Sequence, residues 1–475
     1  MTTIRPILNA IMFICAGFGL AHYGSMLLWG LLSAKLLRSP RASMRRDPME
    51  YTRKRTNLPG VTMILPGYNE EVTIVAAVGS ALSLDYPDLQ VIVVNDGSKD
   101  RMVEVLVEAY NMVPMKGARV NGPIHSAAIK DVYRSPLDDR LLLLDKLPAG
   151  AKADAINCGI NFASKEWVVV MDADELVGKD TLLRCMTQVT HEPGNVVAVG
   201  VSLLPTNGCV LEDLQVVDAR VSTNPWVGFQ TVEYLSAFVV SRPGMAVVRA
   251  LPIVSGGFGI FRRDVLIRVN GFMHPSLGED LDVVVKINRT FLEAGQDYRI
   301  IQVPEAVVWT EFPSTHTVLR RQRIRWHRGL RDVLQRHRVT IGNPRYGTFG
   351  MLGMMQMWAF EWVSVLIEAF GYVLLAFMAL FGMLRFDAVF VTFLAAQTLG
   401  LFIAVSGVWT GARYLDVYKG ARNTALLVMW AFLAQFGYRQ MTVVWRVRSL
   451  WGKQTWGAMP RVGVGPTTKP VVRKH

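Results

Sequence analysis

From Ile7 to Leu32 the chain carries no Lys, Arg, Asp or Glu. A stretch of that length crosses a bilayer as a helix at ~1.5 Å per residue. In hydrocarbon a helix satisfies every backbone N–H and C=O within its own segment, so little else is open to it. No small-residue cleavage site follows, which reads as an uncleaved anchor rather than a signal peptide. Arg38, Arg41, Arg45, Arg46, Arg53, Lys54 and Arg55 come next, and such a cluster marks the cytoplasmic end of a span. The chain turns apolar again after Tyr346. Gly350–Leu384 is too long for one upright span and too short for two, and reads as an interfacial helix leading into one span, with Glu361 and Glu368 facing protein or water. Ala388–Trp409 reads as a further span and Thr424–Trp445 as another, interrupted by Arg439. Three crossings leave the basic tail from Arg446 on the side the charge rule disfavours. Either the last segment does not cross, or the 350–384 stretch crosses differently.

Between these apolar ends strand and helix signals alternate from Leu58 to Arg338. Val61–Leu65 reads as a strand, then a helix from Val72 to Leu82, a strand Val91–Val94, and a helix from Asp100 to Tyr110. Trp167–Met171 is another buried strand. Alternation of this kind predicts a Rossmann-like α/β fold with a mostly parallel, doubly wound sheet. Val113–Leu147, mixed with charges and prolines, reads as a mostly irregular insertion at its edge. The expected organisation is an N-terminal transmembrane helix (1–37), a basic juxtamembrane segment (38–57), a cytoplasmic catalytic domain (58–338) with a basic helix over 320–338, an interfacial helix plus transmembrane helices (346–446), and a basic tail (447–475).

The net charge of +13 lies largely beside apolar segments and in the Arg320–Arg338 stretch, where anionic headgroups are sufficient partners. No nucleic-acid motif accompanies it, so no nucleic acid is expected. Cys15, Cys158, Cys185 and Cys209 form no CxxC pair, which fits a reducing compartment and indicates neither a zinc site nor a disulfide framework.

Three stretches carry chemistry. Asp172-Ala173-Asp174 follows the Trp167–Met171 strand directly, and ligands of parallel α/β sheets bind beyond the carboxyl ends of the strands. Two carboxylates there suit Mg²⁺ or Mn²⁺ that also touches phosphate, with Asp174 the more direct ligand. Gly278-Glu279-Asp280 supplies a further carboxylate, Asp280, placed to act as a base; taken alone it reads as a helix cap. Gln322, Arg325 and Trp326 fall at i, i+3 and i+4, one face of a helix, and together make a surface for a sugar. Lys152 is a mobile cation for phosphates. Tyr68 and Glu70, beyond the first strand, and Asp96, beyond the second, sit where a base and ribose would lie; Tyr68 is suited to stack on uracil and Asp96 to accept from its ring nitrogen. Gly257, in Ser255-Gly-Gly-Phe-Gly259, lets an acceptor approach the backbone closely. Neutralising a leaving diphosphate, deprotonating an acceptor hydroxyl and holding that acceptor in line is the chemistry of sugar transfer from a nucleoside diphosphate.

In that order these residues resemble the family 2 glycosyltransferases, and among them the processive membrane-bound synthases of cellulose, hyaluronan, chitin and poly-N-acetylglucosamine. The likeness runs by motif from Thr62 to Trp326. It implies a GT-A-type catalytic domain embedded between transmembrane helices in the inner cell membrane. It also implies a UDP-sugar donor contacted by Tyr68, Glu70, Asp96, Lys152 and Asp172, metal at Asp172 and Asp174, and Asp280 as base. Gly257, Glu279, Gln322, Arg325 and Trp326 fall on the acceptor side. Gly278 stands where cellulose synthases usually have threonine. The expected activity is inverting, processive transfer from UDP-N-acetylglucosamine or UDP-glucose to a β-linked polysaccharide, coupled to its translocation. The alternative is single transfer to a lipid-linked acceptor; intact Asp172, Asp174 and Asp280 speak against a catalytically silent scaffold. An accessory export or regulatory subunit is a further possible partner.

Overall fold

A computed structural model describes residues 4–37, 58–115, 122–192, 194–384 and 386–452. The basic segment 38–57 and the tail from Lys453 lie outside the described residues. The chain divides into two compact units. One holds the described residues of Arg38–Arg220 and Leu251–Phe312; the other holds those of Met1–Leu37, Val221–Ala250 and Pro313–Thr455.

The first unit is built on β1 (Val61–Gly67), β2 (Leu89–Asn95), β3 (Val113–Pro114), β4 (Ile129–Arg134), β5 (Leu141–Lys146), β6 (Trp167–Met171), β7 (Glu175–Val177), β8 (Val196–Pro205), β9 (Val210–Glu212), β10 (Gln215–Asp218), β11 (Phe258–Arg262) and β12 (Arg299–Thr310). Ten strands form one mixed sheet in the order β3-β4-β5-β2-β1-β6-β11-β8-β12-β7. Its core, β5-β2-β1-β6, is parallel, while β11 runs antiparallel between β6 and β8. β1, β6 and β8 are buried at every position, which is why their sequences are near-continuous apolar runs, interrupted only by Thr62 and Ser202 among polar side chains, rather than alternating ones. Gly67 pairs with Asn95, Asn95 with Asp145, and Ile64 with Val170. The carboxyl ends of β1, β2, β5 and β6 therefore finish along one edge.

The expected irregular insertion over Val113–Leu147 instead supplies β3, β4 and β5, the last parallel to β2. A short run of leucines carries no period that separates strand from helix, and the pairing partner decides it.

The second unit is helical. Its first helix, Ile4–Leu37, is 34 residues long, and Gly244 packs so closely on the Trp29 backbone that a Cβ would collide with it. Pro225 and the Asn224 side chain, which accepts from Trp226 N at 2.9 Å, start the helix Pro225–Leu235. Among the described residues three helices are long and apolar enough to cross a membrane: Pro6–Lys35, Phe349–Leu380 and Val389–Leu415. The Phe349–Leu380 stretch runs as wide π-turns into the α-helix Ser364–Leu380. Its two acids face protein: Glu368 pairs with Arg439 at 3.1 Å and accepts from Tyr372 Oη at 2.5 Å, and Glu361 lies 3.6 Å from Arg446. The 424–445 stretch breaks at Phe436 and Gly437, just before Arg439, between the helices Ala421–Leu433 and Arg439–Arg448. Gly437, at φ +90, takes a conformation that side chains disfavour.

Candidate active site

In the sheet unit the strand ends deliver the predicted residues to one edge. Tyr68 follows β1 and is 48% exposed. The loop after it is latched to the loop after β2. Asn69 N–H donates to Ser98 Oγ (3.0 Å), Lys99 N–H to Asn69 Oδ1 (2.8 Å), Glu71 N–H to Asp100 Oδ2 (2.9 Å) and Arg101 N–H to Glu71 Oε2 (3.0 Å). Glu70 takes a hydrogen bond from Thr73 Oγ1 at 2.8 Å. Asp96 is buried, its N–H donating to Gly67 O at 3.0 Å and its Oδ1 paired with the fully buried Lys146 ammonium.

Asp172 follows β6 directly, and its N–H donates to Gly257 O at 2.9 Å. The Lys152 ammonium sits 2.5 Å from Asp172 Oδ1 and donates to Gly256 O at 2.6 Å. Burial opposes the charge on Lys152, but Asp172, Glu279 and Glu175 outweigh it, so the ammonium is held above its ordinary pKa. Glu279 and Asp280 open the helix Glu279–Glu293, whose first turn is acidic as the helix dipole favours. Asp280 Oδ2 lies 2.8 Å from where a Gly256 Cβ would stand, and a Cβ on Gly257 would collide with the Glu175 carboxylate. Two glycines are thus what allow a turn to pass between these acids. Lys152, Ser255, Gly256, Glu279 and Asp280 line one small cleft, closed behind by Ile156, Val170, Phe261 and Phe272.

Among the described residues no three His, Cys, Asp or Glu side chains converge as a complete ligand set. A divalent ion held by the Asp172 and Asp174 carboxylates fits nonetheless, because Mg²⁺-type ions take one or two carboxylates and complete their shell with phosphate and water. The gathering of acids about Lys152 supplies the negative field such an ion needs.

The helical unit carries the remaining predicted residues on the helix His316–Arg336. Gln322 is half-buried, with its Oε1 buried and without a hydrogen-bond partner, and Trp326 is 37% exposed. Between them Arg323 is buried, paired with Glu233, 3.4 Å from Tyr438 Oη and 4.9 Å over the Trp326 ring. Burial works against its charge and Glu233 outweighs it, so Arg323 stays protonated. His327, one residue on, is 4% exposed, and its Nε2 has no partner. Burial, then Arg446 and Arg331, push it down to about 4.

Sequence reasoning missed Arg323, Glu175 and Lys146. The i, i+3 spacing of Arg323 to Trp326 was a usable signal, and so was a lysine closing the apolar run Leu141–Leu144. Nothing local marks Glu175 as the acid beneath Gly257.

A family model, "Glycosyltransferase like family 2", matches residues 59–329. The chain is 24% identical over 314 residues to a poly-β-1,6-N-acetyl-D-glucosamine synthase of Staphylococcus aureus (strain COL), covering 66% of this chain and 65% of that protein. It is 25% identical over 308 residues to the synthase of the same name from Staphylococcus epidermidis, covering 65% and 63%. The match thus spans slightly less than two thirds of these relatives' own length. Among solved structures, a mannosyltransferase from Pyrobaculum calidifontis, in complex with GDP-Man and Mn²⁺, superposes with a TM-score of 0.51 at 22% identity, covering 94% of this chain and 100% of that one. That likeness is one of fold, and the fold is GT-A.

Proposed function

This chain belongs to the family 2 glycosyltransferases, and from that membership we propose that it transfers a sugar from a UDP-sugar to a growing β-linked polysaccharide, processively and with inversion, and passes the product across the membrane. The observation that carries the reading is the single cleft in which Lys152, bound to Asp172, faces Asp280. A phosphate-binding cation and a base are the two groups that must flank the anomeric carbon. The uracil lies at Tyr68 and Asp96, with Glu70 beside the ribose, and the diphosphate against Lys152. Asp172 and Asp174 would hold a divalent ion, which would supply Lewis-acid stabilisation of the leaving diphosphate. Asp280 takes the proton from the acceptor hydroxyl as that oxygen bonds to the anomeric carbon from the face opposite UDP, so the C–O bond to phosphate breaks with inversion. Gly257 and Glu279 flank the incoming hydroxyl. Trp326 stacks on the terminal sugar, with Gln322 and Arg325 binding its hydroxyls.

The N-acetylglucosamine polymer made by the relatives makes UDP-N-acetylglucosamine the first donor to try, and UDP-glucose the second. The apolar helices, with the basic 38–55 segment beside the first, support a multi-pass protein of the cell membrane whose catalytic unit is cytoplasmic. Membranes containing the enzyme, incubated with each radiolabelled UDP-sugar, should yield labelled high-molecular-weight polymer. A label confined to a lipid carrying one sugar selects single transfer to a lipid-linked acceptor. No incorporation from any UDP-sugar overturns the donor reading.

A further inference from the structure

Lys146 closes β5 and is 0% exposed. Its ammonium has three donors and three acceptors: Asp96 Oδ1, Asp154 Oδ1 at 2.9 Å, and its neighbour's carbonyl, Leu147 O, at 2.9 Å. Both acids are themselves buried, at 6% and 3% exposure. Asp154 accepts from Ala127 N–H at 3.1 Å, and Asp96 Oδ1 from Ala149 N–H at 3.1 Å. Lys146 and Ala149 thus both meet Asp96 at the same oxygen, Oδ1. The loop between Lys146 and Lys152 is pinned to the same place, with Pro148 packed on Gly97.

Buried charge triads are poor sources of stability, since desolvation offsets most of the attraction; their best-attested use is to fix one register. Here the triad joins three elements: the end of β2 at Asp96, the end of β5, and the first turn of the helix Lys152–Phe162 at Asp154. Lys152 starts that helix two residues before Asp154. We propose that Lys146 is a positioning residue that sets the distance between the nucleobase end and the diphosphate end of the donor site, so that base and phosphates are bound together or not at all. This rests on Asp96 and Lys152 being donor contacts.

The tether makes a distinction that a merely structural role does not. Asp154→Asn keeps the Lys146–Asp96 pair but loosens its hold on the Lys152 helix. Calorimetry on the full-length enzyme in detergent should show UDP binding weakened by about tenfold, with uridine binding changed by less than about twofold, and the donor KM rising more than kcat falls. Lys146→Met with Asp154→Asn keeps one net negative charge in the core and frees Asp96 as well, so both UDP and uridine should weaken. UDP and uridine affinities that both stay at wild-type values in a folded Asp154→Asn enzyme overturn the proposal, as does equal weakening of the two. Asp96→Asn is the control on the premise. If it leaves uridine binding intact, the base-site reading fails; if it weakens uridine while the Lys146 double variant does not, the tether fails and the base site stands.

Discussion

Charge is handled in opposite ways at the strand ends of the sheet unit and in the helical unit. At those strand ends acids outnumber the cations they surround: Asp96 and Asp154 share Lys146, and Asp172, Glu175 and Glu279 act on Lys152. In the helical unit each acid discussed meets an arginine of its own: Glu233 with Arg323, Glu368 with Arg439, Glu361 with Arg446. The second pattern is what apolar surroundings demand, because a charge in or beside hydrocarbon persists only when neutralised nearby. The first is tolerable about Lys152, where the Asp172 side chain is 34% exposed and a cation and water can enter, and about Lys146, where backbone N–H groups also donate to the two acids. Surplus acid therefore marks the place of chemistry, and paired acid marks a scaffold.

The sharpest way to break that contrast is to remove the acid expected to act as the base. Asp280→Asn keeps its shape but accepts no proton, so turnover should fall about 10²–10⁴-fold while calorimetry still finds UDP bound. Loss of UDP binding along with activity would recast Asp280 as structural. Next in size is the ion that the surplus should attract. Asp174→Asn should lower turnover by orders of magnitude, and metal-stripped wild type in chelator should be inactive until Mg²⁺ or Mn²⁺ is restored; full activity without metal dissolves the distinction between the units.

On the paired side, Glu233→Gln leaves buried Arg323 without its carboxylate. Removing one partner of a sealed pair costs about 3–5 kcal/mol. Glu233 is 38% exposed, so about 1–2 kcal/mol is expected, read as a lower Tm in detergent. Because Arg323 lies over Trp326, shorter polymer should accompany it; unchanged Tm and unchanged product length would show that the pair fixes nothing. The last effect, confined to acid pH, concerns His327. Its folded pKa of about 4 lies below the ordinary 6.5, so the unfolded chain binds more protons between those values. Its contribution is intact above pH 6.5 and is lost as pH falls toward 4, by up to about 3 kcal/mol. Thermal melts over that range should lose part of their slope in His327→Gln.

The parts of this protein legible in its sequence were those written in local pattern. Near-continuous apolar runs at β1 and β6 declared buried strands, and Asp172-Ala-Asp174 followed one of them where the strand does end. The helix bearing Gln322, Arg325 and Trp326 formed as its spacing implied. β5 was not legible, because leucines serve helix and strand alike until β2 lies beside them. Nor was the helix break at Gly437, which Arg439 alone had signalled two residues late.

Length of apolar run, alternation of strand and helix, and the order of acidic and basic motifs are properties of neighbours in the chain, and they alone determined that this is an α/β domain flanked by membrane-length helices. Which charges would be shared and which paired was decided only on folding. Lys146 meets Asp96 from 50 positions away, and Arg323 meets Glu233 from 90. Whether a charge is neutralised depends on what burial brings within hydrogen-bond reach, and no local pattern carries that information.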